Sequence, residues 1–258
     1  MAGRGVNGAL AAVALLTALP VPGRLQAPGA GLGWFAVAGL LVGTLAAGCW
    51  LLAAWVWPGT LVPGALAVTA LAMVTGMLHL DGLADASDAA LAPVDQERRI
   101  AILHDVHHGT FGVVAVALVL TLQVAALSAC SPWHGALLLL VSPAAARAAL
   151  PLAMRALPPL AESRMVAAAR NGASNGAVGA SLACSFLIAA ALGSVAGLIV
   201  WAVVVGSAAG VAALCAWRFG GLNGDALGAA VELSQTAGLL AGAAILAHPG
   251  MRSGWGLP

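Results

Sequence analysis

Six of the nine acidic residues in this 258-residue chain fall in one window, GMLHLDGLADASDAALAPVDQERRIAILHDVHHGTFG, residues 76–112. Asp81, Asp85 and Asp88 recur at i, i+4 and i+7, which on a helix puts them within about 60° of one another. Three carboxylates on one stripe repel unless a cation joins them. The nearest cations in sequence, Arg98 and Arg99, are too distant to do so. A divalent ion is the economical counter-charge, and an all-oxygen donor set points to Mg²⁺ or Mn²⁺. The competing reading is a solvated polar helix face.

A second cluster, GGLNGDALGAAVELSQT at 220–236, sets Asp225 and Glu232 seven residues apart on one helix face. Glu232 falls inside an apolar run, where an unpartnered acid is costly. The third element is LHDVHHGTFG at 103–112. Its Gly109-Thr110-Phe111-Gly112 leads into an apolar helix, whose N-terminal N–H groups and dipole favour phosphate. His104, His107 and His108 add protonatable donors beside Asp105. Carboxylates for metal and a helix end for phosphate describe metal-dependent phosphoryl or phosphodiester transfer.

The elements that must position these groups lie in a membrane. Charged residues make up 7% of the chain and hydrophobic ones 62%, with a mean hydropathy of +1.01; a soluble domain is nearer about 25% charged. Runs long enough to cross a bilayer, roughly 17–25 residues, occur at 33–57, 60–80, 111–131, 133–154, 177–197, 198–217 and 229–248. A shorter run at 8–20 reads as a half-buried or interfacial helix. The fold class expected is therefore all-α: one polytopic membrane domain over 1–258, with about seven spans and a short N-terminal apolar helix. Cys49, Cys130, Cys184 and Cys215 lie in or beside apolar runs without ligand spacing and read as packing residues. The net charge of +1 offers nothing to nucleic acid.

With seven crossings and Arg24 inside, the windows 81–110, 155–176 and 218–228 share one side. They hold Arg98, Arg99, Arg155, Arg164, Arg170 and Arg218, whereas the loops near 57–60, 131–133 and 193–197 carry no charge. This asymmetry predicts a cytoplasmic site in a multi-pass cell-membrane protein. A transporter keeps its ionisable groups near the midplane, between repeats; here they gather at one face, and no internal repeat is visible.

Three motifs, LHLDGLADASDAA at 78–90, LHDVHHGTFGVVA at 103–115 and GGLNGDALGAAVELS at 220–234, resemble the cobalamin synthase family of adenosylcobinamide-GDP ribazoletransferases. LLTALPVPG at 15–23 and GLGWFAVAGLLVG at 31–43 match in character and order, so the resemblance covers nearly the whole chain. It implies a Mg²⁺-dependent inner-membrane enzyme that joins α-ribazole, or its 5′-phosphate, to adenosylcobinamide-GDP and releases GMP. Asp81, Asp85 and Asp88 then become metal ligands and catalytic groups together with Asp225. Asn223 and Glu232 become substrate contacts, and His104, Asp105, His107, Gly109 and Thr110 handle phosphate. In the family His104 is commonly Lys, Val106 Ser and His107 Arg. The first motif usually ends Asp-Gly and here ends Asp88-Ala89. Two fixed positive charges are thus missing, which turns attention to Arg98, Arg99 and Arg147. A CDP-alcohol phosphotransferase also begins its motif with Asp-Gly, but DGLADASD lacks the Arg and the later aspartate spacing of that signature. A cobalt or corrinoid transporter is the reading from another class. The sequence leaves open the acceptor's phosphorylation, its base and any oligomer.

Overall fold

The computed structural model describes residues 2–21, 29–105, 107–248 and 255, with side chains from residue 6 onward. Arg24, Val106 and Arg252 lie outside the described residues. Within them the chain is all-α: α1 (Ala2–Leu16), α2 (Phe35–Val56), α3 (Val62–Val74), α4 (Leu78–Leu91), α5 (Gln96–Leu103), α6 (Thr110–Ser128), α7 (Pro132–Ala156), α8 (Arg164–Arg170), α9 (Asn175–Phe219) and α10 (Gly224–Ala247). The only β pairing among these residues is an isolated bridge between Pro159 and Leu222.

Most starts are written locally. Asp95, Ser131, Ser174 and Asn223 each accept a backbone N–H in the first turn of α5, α7, α9 and α10 respectively. Proline stands in the first turn of α3 and α7, where its missing N–H has no intrahelical partner to lose. α6 is different, because Gly109 at its N-cap brings no side chain.

Five helices, α2, α6, α7, α9 and α10, are long and apolar enough to cross a membrane, and α3 with α4 makes a sixth as a bent pair. The 45-residue α9 counts twice. Ser194 interrupts it with φ 49° and ψ −138°. Across that break Trp201 Nε1 donates to Ser185 Oγ at 2.9 Å, and the rings of Phe186 and Trp201 meet edge-on at 5.3 Å. An unbroken helix would hold positions sixteen apart at about 24 Å. α9 is therefore an antiparallel hairpin with arms 175–193 and 195–219. Counting α9 as two and the bent α3–α4 pair as one gives seven passes, and the turn falls inside the uncharged loop expected at 193–197.

One expected span needs correction. The run 60–80 is not a continuous crossing, because α3 ends at Val74 and α4 leaves it at 90°. Gly76 and Met77 both adopt φ 60°, outside the helical region. The last carbonyls of α3 are satisfied off-axis: Met77 N–H donates to Ala72 O, Gly76 N–H to Met73 O and Ala18 N–H to Val74 O. The break lets the aspartate-bearing helix depart from the hydrocarbon direction that a straight continuation would impose. At the N-terminus, the short apolar helix runs from Ala2 to Leu16 rather than over 8–20.

α7 is the axis of the bundle, buried along almost its whole length. Pro143 has no N–H for the Leu139 carbonyl, and the backbone of α2 lies against that stretch. A Cβ on Gly43 would overlap Leu139 O, and one on Gly39 would overlap Pro143 O. α6 and α9, by contrast, expose Val113, Leu118, Leu187 and Val195 to the surroundings, and Trp55 and Trp217 stand exposed near opposite ends of the bundle. An apolar surface edged by tryptophan suits a bilayer.

The charged loops are tied to one another at one face. Leu160 N–H donates to Leu222 O at 2.7 Å, Leu222 N–H to Pro158 O at 2.8 Å and Gln96 Nε2 to Phe219 O at 2.9 Å. Arg99 and Arg218 both donate to the Ala90 carbonyl, closing the C-terminal end of α4 with positive charge, as its dipole favours.

Candidate active site

α4 carries Asp81, Asp85 and Asp88 as the spacing predicts, but they do not act as one set. Asp81 is exposed and Asp85 mostly buried. His108, from the loop before α6, reaches both: its Nδ1 is 3.3 Å from Asp85 Oδ1 and its Nε2 is 3.9 Å from Asp81 Oδ1. Asp88 turns away and is buried at 7% exposure. Gly109 N–H donates to its Oδ2 at 2.6 Å and Gly112 N–H to its Oδ1 at 2.9 Å. Asp88 is thus the missing cap of α6. The helix end that the sequence offers to phosphate holds an anion already, a carboxylate of the same chain. Gly109 and Gly112 leave room for it, since a Cβ on either would overlap the carboxylate. Thr110 is the first residue of α6 and is exposed.

α10 brings the fourth aspartate. It crosses α4 where two glycines face each other: a Cβ on Gly82 would stand 2.9 Å from Asp225 Cα and 3.3 Å from Gly228 Cα. A side chain at Gly82 would force the two backbones apart, and one at Gly228 would press on His79 O at 3.2 Å. The crossing draws Asp225, in the first turn of α10, within electrostatic reach of both Asp81 and Asp85. Asn223 has two tasks there. Its Oδ1 caps Ala226 N–H at 2.9 Å, and its Nδ2 donates to Asp225 Oδ2 at 2.7 Å, which fixes that carboxylate.

Two turns further along α10, Glu232 is buried at 6% exposure. Gln123 of α6 donates to it at 3.1 Å and to Thr236 Oγ1 at 2.9 Å. Arg147, 1% exposed in α7, donates to Gln235 Oε1, and its charge acts on Glu232 and on buried His79. Glu232 and Arg147 belong to this interior polar network and not to the open carboxylate face. Buried charge in a bundle requires such partners.

His104 and His107 stand apart from the aspartates of α4, but His104 is within electrostatic reach of Asp225. His104 Nδ1 contacts Ile100 O at 2.8 Å and its Nε2 contacts Glu162 at 3.3 Å. His107 Nδ1 lies 2.8 Å from Asp105 Oδ1, and this hydrogen bond holds the Asp105 carboxyl below the usual carboxylate range. Of the other cations, Arg99 is committed to the carbonyls of Ala89 and Ala90, whereas Arg98 is exposed. Sequence reasoning set His104 and His107 forward, yet His108 is the histidine on the aspartates. Gln123, Gln235 and His79 were also missed, because their roles arise only from helix packing.

Among the described residues no group of three or more His, Cys, Asp and Glu is drawn tightly enough to hold a metal ion alone. Mg²⁺ does not need one. It usually takes one or two carboxylates and completes its shell with water and substrate phosphate oxygens. Asp81, Asp85 and Asp225, all oxygen donors on one seam, fit that requirement.

The family model described as Cobalamin-5-phosphate synthase matches residues 8–243. A protein of Alkalilimnicola ehrlichii named adenosylcobinamide-GDP ribazoletransferase is 35% identical over 94% of this chain and 97% of its own length. Proteins with that name from Sinorhizobium medicae and Pseudomonas fluorescens are 34% and 35% identical, over 87% and 89% of this chain and 91% and 96% of their own lengths. No solved structure matches significantly. An all-α membrane bundle with aspartates converging from α4 and α10, matched by this model over most of its length, belongs to the cobalamin-5-phosphate synthase family.

Proposed function

We propose that this protein is a Mg²⁺-dependent adenosylcobinamide-GDP ribazoletransferase whose site opens to the cytoplasm. The observation that carries the reading is the α4–α10 crossing, where Gly82 and Gly228 bring Asp225 to Asp81 and Asp85. In the reaction a ribose hydroxyl of α-ribazole, or of its 5′-phosphate, attacks the phosphorus that bears the cobinamide. A P–O bond forms there, the bond to the bridging oxygen breaks, and GMP leaves with that oxygen. Asp81, Asp85 and Asp225 would hold Mg²⁺, which would supply counter-charge to the diphosphate.

This chain's own groups do the rest. Asn223 holds the Asp225 carboxylate in place. His108, between Asp81 and Asp85, is placed to take the proton from the attacking hydroxyl and pass it to solvent. Asp88 fixes the start of α6, and with it the loop that carries His108. The sidedness rests on Arg98, Arg99, Arg155, Arg164, Arg170 and Arg218, which all lie at the face of the aspartates.

The test is direct. Membranes containing the protein are given adenosylcobinamide-GDP, α-ribazole and Mg²⁺. The reading expects a corrinoid carrying the ribazole and one GMP for each; corrinoid unchanged beside membranes of an active relative rejects it.

A further inference from the structure

Behind Asp81 and Asp225 lies a cavity of about 330 Å³. Its walls are apolar and come from six helices: Leu15 of α1, Phe35 of α2, Leu78 of α4, Met154 of α7, Val166 of α8 and Leu227 of α10. The polar groups in its lining are Asp81, Asp225 and His79. His79 is only 3% exposed, and its Nδ1 has no hydrogen-bond partner among the described residues. A buried ring nitrogen without a partner is costly in an apolar surround; protein encloses Nδ1, so a turn of the ring that brings it to a ligand in the cavity relieves that cost.

We infer that this cavity is the acceptor subsite: it takes the fused aromatic azole of the riboside among its apolar walls, with a base nitrogen on His79 and the ribose hydroxyls toward Asp81 and Asp225. The assignment rests on the transferase reading and names which substrate goes where. Size decides between the two substrates. Small-molecule sites run from roughly 300 to 1,000 Å³, so the cavity suits one small nucleoside. A corrin macrocycle bearing an adenosyl group and a GDP is several times too large. The polarity agrees, since a flat apolar base wants the walls and a ribose wants the carboxylate end. Position agrees as well. Asp81 also borders, with His108, a second hollow of about 740 Å³ between α3, α4 and α6. The carboxylates therefore stand where an acceptor in the cavity meets a diphosphate arriving from outside it.

The experiment uses the full-length protein in nanodiscs and free α-ribazole, whose benzimidazole fluorescence reports binding without turnover. Wild type should bind it saturably, and Val166→Phe, which fills the cavity, should weaken that binding roughly 10–100-fold while the KM for adenosylcobinamide-GDP moves less than about twofold. Met154→Ala, which enlarges the opposite wall, should improve the use of a riboside with a wider tricyclic base. That gain of function cannot come from a misfolded protein. His79→Asn, which keeps a polar atom near the Nδ1 position, should retain binding that His79→Ala loses. No saturable binding by wild type overturns the assignment, as does Val166→Phe binding like wild type or a loss confined to the corrinoid donor. Saturable binding without any product keeps the cavity assignment and overturns the transferase reading instead.

Discussion

Asp88 of α4 and Gly109 at the head of α6 are joined by a 2.6 Å hydrogen bond across 21 residues of sequence. With Gly112 as its second donor, Asp88 replaces the side-chain cap that α6 lacks. Removing a cap costs about 0.5–2 kcal/mol. Asp88→Ala is therefore expected to lower the Tm of the detergent-solubilised protein by several degrees, whereas Asp81→Ala leaves Tm unchanged and removes activity. Loss of activity in Asp88→Ala at an unchanged Tm would make Asp88 a ligand rather than a cap.

The α4–α10 crossing depends on the absence of side chains at Gly82 and Gly228. Gly228→Leu should push Asp225 from Asp81 and Asp85 and cut turnover on the order of 100-fold, the cost of about 1 Å of misplacement. Gly206→Leu, at a position with nothing within 4 Å, is the control and should behave as wild type. Equal rates for the two variants would dissociate the crossing from catalysis.

The hairpin in α9 predicts proximity between positions that a straight helix keeps about 24 Å apart. Ser185→Cys with Trp201→Cys, in a background lacking Cys49, Cys130, Cys184 and Cys215, should cross-link through a short bifunctional reagent. Cleavage engineered at 194 followed by electrophoresis reads the link. Separate fragments after treatment would mean one continuous helix.

Much of this architecture was legible in the sequence, and the limits are physical. The apolar helices other than the broken 60–80 run, the i, i+4, i+7 stripe and the helix starting at Thr110 follow from apolar periodicity and local spacing. The break at Gly76-Met77 was hidden because Leu71 to Met77 carries no charge or proline to mark it. The division of labour among three equivalent-looking aspartates was also hidden. Nothing local distinguishes Asp88 from Asp85; only the approach of α6 commits one to backbone N–H groups and leaves the other to His108. Likewise, three histidines in five residues read alike until the loop is folded.

The interior network makes its own prediction. Arg147→Ala leaves Glu232 without the nearby guanidinium charge and Gln235 without its donor. Glu232 then keeps Gln123 as its side-chain donor but loses the opposing charge, and a buried acid short of opposing charge is destabilising, so this variant should be less stable in detergent. Adding Glu232→Gln should recover part of the loss. A double variant no more stable than Arg147→Ala would show that the two residues are not coupled.

The central claim is that carboxylates from α4 and α10 jointly hold Mg²⁺ for transfer to the acceptor. GMP release from adenosylcobinamide-GDP and α-ribazole, followed against free Mg²⁺, tests it most directly. Wild type should be silent after chelation and recover with added Mg²⁺. Asp85→Ala and Asp225→Ala, folded to the wild-type Tm, should each be slower on the order of 10³-fold at saturating Mg²⁺. Asp95→Ala and Glu97→Ala, in the polar stretch after α4, should stay near wild type. Turnover that survives chelation, or Asp225→Ala running at the wild-type rate, would contradict the account.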